Sequence, residues 1–318
     1  MLNATRRNRP LGLLFVVTAL VAAVALPVRA QAPGDTTRQL WDTEFVDKRP
    51  KPAQPAPKKK PRTYKPAPTA TNRPTGTKPT GTTPAAGVTD SLVGVTLWRL
   101  RPSVASDGEG SRMLVHRPAA TNPNDKVALT PERVDIGKPL VEGQFVRLAI
   151  ESPRAGHLYV VDREVYADGS KSAPVLIFPT TRLNNGDNRV EAGRVVEIPA
   201  QSDNPEYLTV TRARPDQVSE SITILVAPEP IAGVAVGEEA QTLKLETFEE
   251  WERAWAVPAE RLELEGGEGQ VYTAPEAKAG ADPKTLLTQD DPLPQTLYRL
   301  AVKTGAPVMV TVVLPIRK

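Results

Sequence analysis

The stretch Gly156–Gly193, GHLYVVDREVYADGSKSAPVLIFPTTRLNNGDNRVEAG, decides the fold class. Leu158–Val161 is an unbroken apolar run, which a strand needs when both of its faces are covered. Asp168-Gly169 and Asn185-Gly186 are turn signals. Leu176-Ile177-Phe178 is a second apolar run, and Pro179 stops it where no ladder donor is required. Outward from this centre, the same alternation and punctuation predict strands at Gln144–Glu151, His157–Tyr166, Pro174–Phe178, Arg194–Ile198, Tyr207–Arg212 and Ser221–Val226. Short strands spaced by roughly ten residues, with turns between them, predict a mainly β antiparallel sandwich of the immunoglobulin-like class. No strand–helix alternation appears, which argues against a doubly wound sheet.

Further out, Leu92–Arg101 reads as a strand. Arg112–His116 is expected to return against it as a hairpin across the turn Ser106–Gly110. Lys126–Leu129 and Glu132–Ile136 read as short edge segments. One amphipathic helix is predicted near Thr247-Phe248-Glu249-Glu250, which has the form of a capping box. Phe248, Trp251, Ala254 and Trp255 share one face of it, so the two Trp side chains should pack the helix onto a sheet. Gln295–Lys303 and Pro307–Ile316 are predicted as a C-terminal hairpin through Thr304-Gly305-Ala306.

The N-terminus is built differently. Arg6, Arg7 and Arg9 precede the apolar run Leu11–Leu26, and Val28-Arg29-Ala30 follows. This is the pattern of a secretory signal over 1–30, with cleavage between Ala30 and Gln31. Uncleaved, the same run would be an inner-membrane anchor; either way the remainder is exported, to the periplasm or cell surface. Residues 31–89 read as a disordered Pro/Lys/Thr-rich linker, although Leu40, Trp41, Phe45 and Val46 could dock on a folded domain. Residues 90–318 read as the β-rich domain. From Lys48 to Thr89 there are ten Lys or Arg and no acid; from Asp90 onward there are 25 Lys or Arg against 33 Asp or Glu. A basic tail on an acidic domain points to an anionic envelope surface or an envelope protein as partner, with Lys58, Lys59, Lys60 and Arg62 as an electrostatic tether. The export signal makes nucleic acid an unsuitable partner.

The chain has no Cys and only two His, His116 and His157. Thiolate metal sites, catalytic thiols and disulfides are thereby excluded. The sequence carries no nucleophile elbow, no zinc-binding His pair and no phosphate-binding Gly-rich loop. His157 reads as an ordinary strand residue. Asn184, Asn185, Asp187 and Asn188 offer oxygen ligands but lack the spacing of a calcium loop, so they read as a polar turn. No cofactor and no metal is expected.

Several blocks occur here in a family-like order. They are Gly156-His157-Leu158-Tyr159-Val160-Val161, Tyr166-Ala167-Asp168-Gly169, Leu176-Ile177-Phe178-Pro179, Asn188-Arg189-Val190-Glu191-Ala192-Gly193 and Glu197-Ile198-Pro199. Over residues 140–227 the chain resembles the domain of unknown function numbered 4384, in an exported acidobacterial-type form. The resemblance implies a β-rich accessory domain with no established activity and no catalytic residues. The expectation is therefore a non-enzymatic, exported envelope adaptor. The alternatives are a membrane-anchored periplasm-spanning protein and a hydrolase using His157.

Overall fold

The computed structural model describes residues 43–53, 63–66, 87–116 and 125–317. Two sheets form the domain. The first contains β1 (Tyr64–Pro66), β2 (Val88–Pro102), β3 (Met113–His116), β4 (Lys126–Val134), β6 (Phe145–Glu151), β10 (Val195–Ile198), β11 (Leu208–Thr209), β14 (Ala259–Leu264) and β15 (Thr296–Lys303). The second contains β5 (Leu140–Val141), β7 (Gly156–Tyr166), β8 (Val175–Phe178), β9 (Arg189–Val190), β12 (Gln217–Ala227), β13 (Gln241–Thr242) and β16 (Val308–Arg317). Pairing is antiparallel except where β16 meets β5. The mainly β sandwich read from the sequence is the observed fold.

The long strand β2 organises the first sheet. One of its edges pairs with β6, and the other is shared end to end by β15 and β4. The ladder to β15 runs to Val95 and the ladder to β4 begins at Leu97. At the fork the Gln295 backbone N–H donates to Thr96 Oγ1 at 3.0 Å, so the split leaves that donor satisfied.

Both sheets are covered on both faces, which accounts for the apolar runs. Between them, Val95, Leu97, Leu148, Ile150 and Leu300 meet Leu158, Val160, Ile224, Val310 and Val312, all buried. On the outside of the second sheet, Tyr159, Val161, Leu225 and Met309 pack against Phe248 and Trp251 of helix α1 (Leu245–Trp255). Trp255 stacks on Trp251 with ring centres 5.9 Å apart. The Trp pair therefore anchors a helix to a sheet, as its spacing predicts.

The outside of the first sheet is closed by Phe45, Val46, Tyr64, Leu293 and helix α2 (Ala274–Ala281). Composition assigns residues 48–53 and 63–66 to a bare linker, and here the structure differs. Phe45 is fully buried, Arg49 is 2% exposed, and Tyr64–Pro66 pairs with β14. A Pro/Lys-rich composition cannot build its own core, but single apolar and guanidinium groups within it can dock on one already built.

Four other expectations are corrected. β3 pairs with β4, not with β2, so Leu92–His116 is no hairpin; β4 is one nine-residue strand where two short segments were expected. β15 and β16 lie in different sheets, so Thr304–Ala306 carries the chain across the sandwich. Helix α1 begins two residues before Thr247, with Lys244 as an N-cap that makes no side-chain bond. The capping box that forms is Thr273/Glu276, at the start of a second helix, α2. Among the described residues no helix is long and apolar enough to cross a membrane.

Candidate binding cleft

The blocks Gly156–Val161 and Asn188–Gly193 meet at one place. Gly156 and His157 open β7 and pair with Val190 and Arg189 of β9. The Leu158 N–H donates to the Asn188 carbonyl at 2.7 Å, and Asn188 Nδ2 returns to the Leu158 carbonyl at 3.1 Å. The turn after β9 is closed by Gly193, with φ +85°, and the Leu287 N–H donates to its carbonyl. A Cβ on Gly193 would lie 2.4 Å from the Leu287 carbonyl oxygen, and one on Gly156 would lie 2.5 Å from that of Ala227. Both glycines are thus required by close backbone packing.

These contacts frame an open cleft of about 720 Å³ lined by residues that include His157, Asp187, Arg189, Glu191, Arg194 and Lys284. Its size is that of sites for drug-sized ligands, roughly 300–1,000 Å³. Asp187 organises the cationic side. Arg189 Nε and Arg194 Nη2 donate to its two oxygens at 3.0 and 2.8 Å. Burial works against the Asp187 charge, but these hydrogen bonds outweigh it and hold the carboxyl well below the usual range. Arg189 projects into solvent, whereas the Arg194 side chain is 7% exposed. Lys284 sits on a loop fixed by Asp282, whose carboxylate accepts from the Lys284 N–H and the Thr285 hydroxyl, each at 3.0 Å.

No family model, no curated protein and no solved structure matches this chain.

His157 lines the cleft with Nδ1 3.2 Å from Asn188 Oδ1, and His116 lies elsewhere with Nδ1 2.7 Å from Glu206 Oε1. Neither ring is hydrogen-bonded to a hydroxyl nucleophile among the described residues. The Asn184–Asn188 segment is a polar turn: Asn184 and Asn185 have φ of 49° and 51°, and Asn184 Nδ2 donates to the Asp187 carbonyl. Among the described residues no group of three or more His, Asp or Glu is placed to hold a metal ion. Ala30 and Gln31 of the signal junction, and Lys58, Lys59, Lys60 and Arg62 of the tether, lie outside the described residues.

A second polar cluster lies under the cover of the first sheet, and sequence reasoning passed over it. Arg49 Nε and Nη2 donate to the two Glu151 oxygens, each at 2.6 Å. Arg147 pairs with Glu197 at 3.3 Å, and Arg133 pairs with Glu276 of α2. Tyr272 donates its hydroxyl to Glu197, and its ring meets Trp98 edge-on at 4.7 Å. Burial raises the Glu197 pKa against the opposing Arg147 charge, and it raises that of Tyr272 well above the ordinary value. The cavity among these groups is only about 30 Å³, room for a water or two. This cluster fastens the cover to the sheet, whereas the open cleft has the size to receive a partner.

Proposed function

We propose that the chain is an exported, non-enzymatic interaction module of the cell envelope, and that the Gly156–Lys284 cleft is its recognition surface. The observation that carries the reading is the cleft itself, an open recess whose two arginines are held by Asp187, whose Lys284 loop is fixed by Asp282 and whose His157 has an amide as its partner. The resemblance of the 156–199 blocks to the domain of unknown function numbered 4384 supports an accessory role. The sequence pattern of residues 1–30 supports export, and the basic composition of residues 48–89 supports contact with an anionic envelope surface or protein.

Photo-crosslinking in the envelope fraction tests the recognition surface. A crosslinker placed at Lys284 or Arg189 should give a discrete adduct that one placed at Glu249, on the exposed face of α1, does not. Equal adducts from both faces would remove the cleft from consideration. N-terminal sequencing separates the secreted form from an anchored one: a mature start at Gln31 rules out the anchor. A hydrolase would lose activity on wall polymers or esters in a His157→Ala variant.

A further inference from the structure

We infer that the cleft recognises an oxyanion, a carboxylate or phosphate group carried by the envelope component it binds. This rests on the reading of the cleft as a recognition surface and adds the chemistry of the ligand. The groups that carry it are Arg189 and Lys284, both exposed in the cleft, with the Arg194 side chain nine-tenths buried beside them and its Nη2 held by Asp187. An oxyanion entering the cleft would take charge-assisted bonds from the two exposed cations.

The surroundings agree. Arg189 and Lys284 line the same cleft and are exposed. The two carboxylates present, Asp187 and Glu191, leave an excess of one cation, in a domain that from Asp90 onward carries more acids than bases. A local cationic recess in an acidic domain draws anions to that one place and repels them elsewhere. Because Asp187 holds both guanidiniums, their orientation is fixed before a ligand arrives, which lowers the ordering cost of binding.

The experiment follows backbone amide shifts of the full-length chain during titration with inorganic phosphate and, separately, acetate. Sodium chloride at equal ionic strength is the control. Saturable shifts confined to residues 156–157, 188–194 and 284 are expected with at least one oxyanion and not with chloride; the arm that saturates at lower concentration identifies the group. The variant Arg189→Gln/Lys284→Gln, which alters only exposed side chains, should bind about tenfold more weakly. Shifts of the same size with chloride, or unchanged binding by the variant, would overturn the inference. If the Lys284 crosslink persists while no oxyanion binds, the ligand chemistry is wrong and the recognition surface stands. Loss of both removes the recognition surface as well.

Discussion

Replacing Arg49 by Ala probes the whole cover of the first sheet. Arg49 is 2% exposed and Glu151 is 4% exposed. Besides its two bonds to Glu151, the guanidinium donates to the carbonyls of Thr288, Asp291 and Pro292 at 3.2–3.3 Å. Removing one partner of a buried pair strands the other charge, at about 3–5 kcal/mol. Total stability is about 5–15 kcal/mol for a domain. Arg49→Ala should therefore lose roughly a fifth of the stability or more. Arg49→Lys keeps the charge but loses the paired geometry and should fall between. The double variant Arg49→Met/Glu151→Leu leaves no isolated charge and should recover at least half of the loss. Urea unfolding followed by Trp fluorescence measures all four proteins, with Trp98 near the cluster as a reporter. An Arg49→Ala midpoint equivalent to less than about 1 kcal/mol of loss would refute the reasoning, because residues 45–50 would then not belong to the cooperative unit.

Three further outcomes follow from the same structure. Thr273→Ala should cost about 1 kcal/mol by removing the capping box of α2, whereas Thr247→Ala, inside α1, should cost less than about 0.5 kcal/mol; chemical denaturation of both separates the real cap from the apparent one. Gly280→Ala would place a Cβ 2.4 Å from the Glu197 carboxyl carbon, and overpacking against a buried charge should lower stability by about 1–3 kcal/mol, visible as a reduced melting temperature. Asp162 and Glu220 lie on neighbouring strands; burial first, and then the pair's mutual repulsion, raises the Glu220 pKa from its ordinary 4.5 to about 8. A carboxyl held protonated in the fold stabilises it only while the proton stays. Stability should thus fall as pH rises from 4.5 through about 8, and Glu220→Gln should flatten that fall, gaining about 1 kcal/mol at the alkaline end after allowance for partial exposure. Melting temperatures across that pH range check the sign; a steeper fall in the variant would reverse it.

The strands were legible because burial imposes a period of two and turns impose Gly, Asn and Asp. Leu158–Val161, Asp168-Gly169 and the prolines after Phe178 and Ile198 therefore mark real strand interiors, turns and ends. Trp251 was legible as an anchor because a helix that packs must present one apolar face. The capping box at Thr247 misled because Thr-x-x-Glu is a local pattern, and apolar contact of Phe248 and Trp251 with the sheet fixed where the helix lies. The partner of Arg112–His116 and the sheet crossing at Gly305 were not legible, since strand pairing depends on which edges are free, a property of the assembled sheet. Of the cleft, the sequence showed the wall blocks and His157. Arg194 read as the first residue of a strand, and Lys284 lay in a turn almost a hundred residues away.

The sequence by itself determined the class of the domain, the ends of most strands, the amphipathic helix and the absence of any thiol chemistry, because each follows from local residue type and period. Only the tertiary structure decided that Phe45, Arg49 and Tyr64 belong to the folded body, that two Arg–Glu pairs, Arg49–Glu151 and Arg133–Glu276, fasten its cover, and that Arg189, Arg194 and Lys284 share one recess. Contacts across 100 or 240 residues, such as Arg49 with Glu151 and with Thr288, leave no periodic trace in the chain. They exist because folding brings a buried charge and its counter-charge together, where neither can be left alone.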